Sequence, residues 1–319
     1  INFALDEPLV LNGDVRQALS SVPLSKNRRS PPAFELDYRD AQMIQNFVRK
    51  GALCVVGRLE SFEREAVLRF LKRAKMPVWL EGPSGLRGHS DLFDLEITGD
   101  DAAISTAIKT GAVKRVLRLG GVPTLRAWRD LDEPSVECET LSVSRLRFSG
   151  LGRGGHVQAD LAGLHTVEIS TESEAEHEAL RKLLVKKTAE SNSLYFKLSK
   201  LIPRQAKVYV GNSLPIREWD RWAARNHVTM VEANRGVNGI DGQISTALGL
   251  AFSHDELWVI VGDLTALYDL NSLWAPKPKR LRIVVVNNGG GQIFSKLATV
   301  AESPTGAVAF INSHSRNLK

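Results

Sequence analysis

The stretch LWVIVGDLTALYDLNSLW (257–274), followed by RIVVVNNGGGQIF (282–294), decides the fold. Each half opens on a short apolar, β-branched run that ends in Gly, Asp or Asn, and each run predicts a buried strand. The residues around 267–274 predict a helix between them. Asp263 ends the first strand and Asn288 ends the next, 25 positions later, about the length of one βα crossover plus its strand. Both polar groups therefore fall side by side at the carboxyl edge of a parallel sheet, where open α/β sheets bind ligands.

The same alternation runs outward from this stretch. Upstream lie a strand KVYVG (207–211), a helix IREWDRWAA (216–224), a strand VTMVEA (228–233) and a helix GQISTALGLAFS (242–253). Nearer the start come ALCVVG (52–57) as a strand and SFEREAVLRFLKRAK (61–75) as a helix with Phe62, Ala66, Leu68, Phe70 and Leu71 near one side. PVWLEG (77–82), VKRVLRL (113–119) and SVECETL (135–141) read as strands, with helices near 101–110 and over PTLRAWRDL (123–131). Strand alternating with helix implies parallel sheets covered on both faces. The expectation is an α/β chain of two Rossmann-like, doubly wound parallel-sheet domains, 34–168 and 169–319, after a linker over 1–33. The boundary is placed before the segment 171–202, acidic in its first turns and basic later, the order that suits a helix dipole. GLGRGG (150–155) matches GxGxxG but lacks the preceding apolar strand and following apolar helix, so it reads as a flexible turn.

Composition narrows the class. The 319 residues are 43% hydrophobic, 24% charged and 7% aromatic, which excludes disorder, collagen and coiled coil. The formal charge of +6 comes from basic residues spread along the chain, so no nucleic-acid partner is expected. Cys54 and Cys138 lack CxxC spacing, which fits a reduced, cytoplasmic protein. No apolar run reaches the ~18–20 residues that span a bilayer, so no membrane partner is expected. The chain starts at Ile1 without Met and stops in the polar INSHSRNLK, so a piece of a longer protein is expected.

Mg²⁺ takes a few hard oxygen ligands and leaves other positions for phosphate and water. The Asp263 carboxylate, the Asn288 amide oxygen and the Gly290 carbonyl could supply such a half-shell, with phosphate oxygens supplying much of the remainder, themselves held by the N–H groups where the helix after Leu264 begins. Taken singly, each strand-end loop also reads as ordinary turn and cap chemistry.

A GD turn followed about 25 residues later by NN resembles the diphosphate-binding motif of thiamine diphosphate enzymes. VGNSLPIR, NRGVNGIDGQISTALG, GDLTALYDLN and VVNNGGGQIFS, about 80 residues together, resemble the C-terminal domain of the 2-succinyl-5-enolpyruvyl-6-hydroxy-3-cyclohexene-1-carboxylate synthase family of menaquinone biosynthesis. Leu264 stands where most thiamine enzymes have Gly, and the synthase family resembles this chain in that departure. The resemblance implies a thiamine diphosphate-binding fold lacking its pyrimidine domain. It implies Mg²⁺ or Mn²⁺ held by Asp263, Asn288 and Gly290, and cofactor contacts from Ser213, Gly239, Ile240, Gly262, Leu264, Thr265 and Ile293. Ile240 would be the apolar wedge that keeps the cofactor bent.

Arg217 and Arg235 would bind the carboxylates of 2-oxoglutarate and isochorismate, the guanidinium fork suiting paired oxygens. Ile293 and Phe294 would line the pocket's apolar side. The glutamate that activates the cofactor belongs to a pyrimidine-binding domain with no counterpart here, so little or no turnover by the isolated chain is expected, with a homodimer or homotetramer when intact. Arg217 as a surface residue and Ile240 as plain core are the competing readings of those two positions. An acetolactate synthase, a 2-oxoacid decarboxylase or a non-catalytic metal- and phosphate-binding module are the competing readings of the whole.

Overall fold

A computed structural model describes residues 34–185, 192–225, 227, 230–235, 239–274, 280–295, 311 and 313–315. The expected linker over 1–33 lies outside the described residues, as do Gly236–Asn238 of the loop after the VTMVEA strand.

Five parallel strands form the first sheet, in the order β2-β1-β3-β4-β5: β1 (Leu53–Val56), β2 (Val78–Leu80), β3 (Arg115–Leu119), β4 (Glu139–Ser144) and β5 (Gly155–Gln158). Helices α1 (Tyr38–Arg49), α2 (Arg64–Ala74), α3 (Ala102–Lys109), α4 (Arg126–Asp130) and α5 (Glu174–Leu184) accompany it. Alternate strand residues face opposite layers. Leu117, Leu119, Leu141 and Val143 pack with Ile44 of α1 and Phe70 and Leu71 of α2 on one side. Leu53, Val55 and Val116 pack with Ile104 of α3, Trp128 of α4 and Leu184 of α5 on the other. The sheet is thus doubly wound.

Two elements of this sheet had no expectation from sequence. α1 is mostly polar, and only the narrow stripe Ala41, Ile44 and Val48 is buried; Asp37 caps it by accepting the Asp40 N–H at 2.8 Å. β5 has a single buried apolar residue, Val157, and so offers no apolar run. GLGRGG leads into this strand. A Cβ on Gly154 would lie 1.8 Å from Thr140 Oγ1, so that glycine permits close strand entry. Phe62, expected on the buried side of the 61–75 helix, instead precedes α2 and is exposed.

Four parallel strands form the second sheet, in the order β7-β6-β8-β9: β6 (Lys207–Val210), β7 (Val231–Glu232), β8 (Leu257–Gly262) and β9 (Leu281–Val286). Helices α6 (Leu194–Leu201), α7 (Leu214–Trp222), α8 (Gln243–Ala251) and α9 (Asp263–Tyr268) cover it from both faces. α9 begins at Asp263 itself, earlier than the helix expected around 267–274, where a short 3₁₀ turn over Leu270–Trp274 follows. The helical segment read over 171–202 holds two separate helices. α5 packs Leu180 and Leu184 onto the first sheet, and α6 packs Tyr195 and Leu198 onto the second.

The two sheets meet along a polar seam. Asp220 of α7 accepts the Gly82 N–H at 2.7 Å, and the buried Arg87 donates to the carbonyls of Asp220 and Ala223. Arg225 pairs with the buried Glu96 at 2.8 Å. Among the described residues no helix is long and apolar enough to cross a membrane.

Candidate cofactor and anion site

The ends of β6, β8 and β9 and the segments after β7 border one cavity of about 430 Å³. Every site residue expected from sequence lines it: Ser213 and Arg217 after β6; Arg235, Gly239 and Ile240 after β7; Gly262, Asp263, Leu264 and Thr265 after β8; and Asn288, Gly290, Ile293 and Phe294 after β9. That single edge results from the crossover order, which returns each strand parallel and releases each loop on the same side.

Asp263 is almost wholly buried. Its Oδ1 accepts the Leu264 N–H at 2.9 Å and its Oδ2 accepts the Gly290 N–H at 2.8 Å, which ties the β8 and β9 loops together. At Gly290 the amide is therefore the group that touches Asp263. Gly289 and Gly290 carry φ of 81° and 131°, a backbone path that favours glycine. The INSHSRNLK stretch, which closes no element in sequence, places His314 Nε2 3.0 Å from Asp263 Oδ2 and its N–H on the Gly289 carbonyl. Among the described residues no group of three or more His, Cys, Asp or Glu side chains could hold a metal ion. The cation donors at this edge are one carboxylate plus amide and backbone oxygens. Those oxygens are hard donors that suit Mg²⁺ or Mn²⁺, with the His314 imidazole beside the carboxylate.

The opposite wall is cationic. Arg217 and Arg235 are largely desolvated, and burial pushes both guanidinium groups below their ordinary range, with Arg235 adding to the effect on Arg217. Arg217 donates to the Ser213 carbonyl at 2.8 Å, and Arg235 to Asn212 Oδ1 at 2.7 Å. Arg235 Nε has no partner among the described residues, so the cavity wall carries a free buried donor. Arg129, on α4 of the first sheet, also lines the cavity. Sequence reasoning missed it because nothing in PTLRAWRDL distinguishes it from a surface helix residue.

Two further features were not legible. Ser213 adopts φ 75° and ψ −134°, a region almost reserved for glycine, and such strain costs about 1–3 kcal/mol and gathers at functional sites. The buried Asn212 donates to the Gly239 carbonyl at 2.6 Å and, with Tyr209, shares the Gln243 side-chain oxygen. This network holds the β6 and β7 loops at a fixed separation. Both Asn212 and Gln243 stand inside the motifs that resemble the synthase family, which was the available signal.

No protein-family model matches the chain. It is 39% identical, over 93% of its length and 58% of the relative's, to the 2-succinyl-5-enolpyruvyl-6-hydroxy-3-cyclohexene-1-carboxylate synthase of Bdellovibrio bacteriovorus. Synthases of the same description from Akkermansia muciniphila and Halorhodospira halophila are 33% and 32% identical over 85% and 95% of the chain. The chain spans about half the length of these curated relatives, 53% and 55% for the last two. Among solved structures, a thiamine diphosphate-dependent 4-hydroxybenzoylformate decarboxylase from Rhodococcus jostii shares the fold, with a TM-score of 0.59 at 18% identity over 87% of this chain and 57% of that one.

Proposed function

This chain is a homologue of the 2-succinyl-5-enolpyruvyl-6-hydroxy-3-cyclohexene-1-carboxylate synthases over about half their length, and from that premise we propose that it forms part of such an enzyme. The proposed reaction decarboxylates 2-oxoglutarate and adds the resulting four-carbon unit to isochorismate. One observation carries this reading: a buried carboxylate, Asp263, and two desolvated arginines, Arg217 and Arg235, line one cavity built from the strand-end segments whose sequences resemble the synthase family. In this reading the first sheet is the middle domain and the second sheet the diphosphate-binding domain, and α5, packed on the first sheet, moves the boundary expected at 168/169 to beyond Leu184.

Asp263, Asn288 and Gly290 would hold Mg²⁺ or Mn²⁺. Gly262, Leu264 and Thr265 would border the diphosphate, and Ser213, Gly239, Ile240 and Ile293 the rest of the cofactor. Bound thiamine diphosphate would supply the electron sink for loss of CO₂ from a 2-oxoacid. Arg217 and Arg235 would orient dicarboxylates by paired N–H donation, and Phe294 would exclude water from the apolar side. Leu264 at the GD turn and the arginine pair favour this reading over an acetolactate synthase or 2-oxoacid decarboxylase. A pyrimidine-binding domain from the same or a neighbouring subunit would complete the site, in a dimer or tetramer.

Calorimetry with thiamine diphosphate and Mg²⁺ tests the reading. Mg²⁺-dependent binding is expected for the wild-type chain, weakened at least about 100-fold in Asp263→Ala, since even residues behind a metal ligand are worth 10–100-fold. Mixing the chain with a separately made pyrimidine domain of a relative is expected to give 2-oxoglutarate-dependent CO₂ release that neither part gives alone. A wild-type chain that binds no cofactor in either setting overturns the proposal.

A further inference from the structure

The first sheet carries a polar ladder on the face that packs against α4. Arg118 of β3 lies in register with Ser142 of β4, which lies in register with His156 of β5. Arg118 is fully buried and donates once, from Nη2 to Ser144 Oγ at 3.1 Å. Its Nε and Nη1, the Ser142 hydroxyl, the His156 Nε2 and the indole N–H of the buried Trp128 all lack partners among the described residues. The Arg118 guanidinium sits over the Trp128 ring, 5.8 Å from its centre, so the ring closes one side of the ladder, and burial, helped by the Arg118 charge, lowers the pKa of His156. Among the described residues no carboxylate pairs with Arg118. Burial pushes this guanidinium down only to about 10, which leaves it charged at neutral pH.

A buried charge without a counter-charge is strongly unfavourable, and buried donors without acceptors add to the cost. We propose that the Arg118, Ser142, His156 and Trp128 cluster binds one compact monovalent anion of the halide class. The donor set selects the ligand. The guanidinium and the hydroxyl on neighbouring strands are hydrogen donors, which suits a spherical acceptor and rejects a cation. Enclosure selects the size: Arg118, Ser142 and Trp128 are buried, so a diphosphate or dicarboxylate would not fit without moving the sheet or α4. His156 is only part-buried, which gives the anion an entry side. The site lies in the first sheet and does not depend on the function proposed for the cavity of the second.

Thermal unfolding of the chain in sodium chloride against sodium gluconate at constant ionic strength tests this. A saturable rise of about 3 °C with chloride is expected for the wild type, because a ligand that binds only the folded state raises its stability. The rise should vanish in Arg118→Met, which removes the charge and keeps the volume. Should that variant fail to fold, Ser142→Ala provides the second comparison, with a reduced rise. Diffraction from wild-type crystals grown in bromide should show anomalous density against the Arg118 guanidinium. No chloride dependence in the wild type, the same dependence in the variants, or only water at the guanidinium each overturns the proposal.

Discussion

The two sheets are wound alike and end differently. In each, the first strand in sequence lies between the second and the third, so each has its switch point between neighbouring strands, β1 and β3 in one and β6 and β8 in the other. At the first switch point the loops close on each other: the Gly57 N–H bonds the Leu119 carbonyl at 3.0 Å and the Gly121 N–H bonds the Arg58 carbonyl at 2.9 Å. At the second the corresponding bond is kept, from the Gly211 N–H to the Ile260 carbonyl at 2.8 Å, but the loops beyond it border the cavity lined by Ser213 and Asp263. Topology offers a ligand site in both places. Whether the loops carry bare backbone that seals the edge, or side chains that hold it open, decides which becomes one.

Glycine substitution breaks this comparison most sharply. A Cβ on Gly57 would lie 2.2 Å from the Gly121 carbonyl oxygen, whereas one on Gly262 would find nothing nearer than Thr265 Oγ1 at 3.9 Å. Gly57→Ala is expected to cost about 3 kcal/mol in urea unfolding, the upper range of overpacking, and Gly262→Ala less than about 0.5 kcal/mol. Equal costs would mean the first edge is not sealed by backbone contact.

This contrast also marks what the sequence made legible. The apolar runs of β1, β3, β6, β8 and β9 announced strands, and the spacing of Asp263 and Asn288 placed them on one edge. β5 and α1 stayed silent because one buried valine and a three-residue stripe are too little apolar signal. The glycines after β1 and β8 look alike in sequence. Their difference is tertiary, set by which loop faces which. Arg129 and the backbone strain at Ser213 were invisible for the same reason, since one enters the cavity from the other sheet and the other depends on a backbone angle.

The cavity's arginines sharpen the open half of the comparison. Arg235→Lys keeps the charge but loses the fork, and about tenfold weaker binding of 2-oxoglutarate is expected by calorimetry, with little change in stability. Unchanged affinity would remove Arg235 from the anion wall. Ser213→Gly should relieve the backbone at φ 75° and raise stability by about 1 kcal/mol while loosening the loop that positions Arg217. A variant no more stable than wild type would show that the strain is not there.

The smallest effect belongs to the seam where the sheets meet. Thr124 Oγ1 lies 2.7 Å from Glu81 Oε1, just past β2, and 3.1 Å from Asp220 Oδ2, on α7. A hydroxyl has one proton to give, so the second contact needs a proton on a carboxyl group. Glu81 Oε1 also accepts the Thr124 and Leu125 N–H groups, so the two buried carboxyl groups meet across Thr124 and share one proton between them. Burial raises both carboxyl groups above their ordinary range, and the Asp220 charge adds to the rise at Glu81. The folded chain therefore keeps a proton that the unfolded chain releases near pH 4. Stability from this pair is full below that pH and declines as pH rises toward the raised folded values. Asp220→Asn keeps a polar partner for Thr124, removes one of the two titrating groups and takes away the charge that helps to raise Glu81. The wild type should lose about 1 kcal/mol between pH 5 and 8 that the variant retains. Parallel pH profiles for the two would place the shared proton elsewhere and leave the seam indifferent to pH.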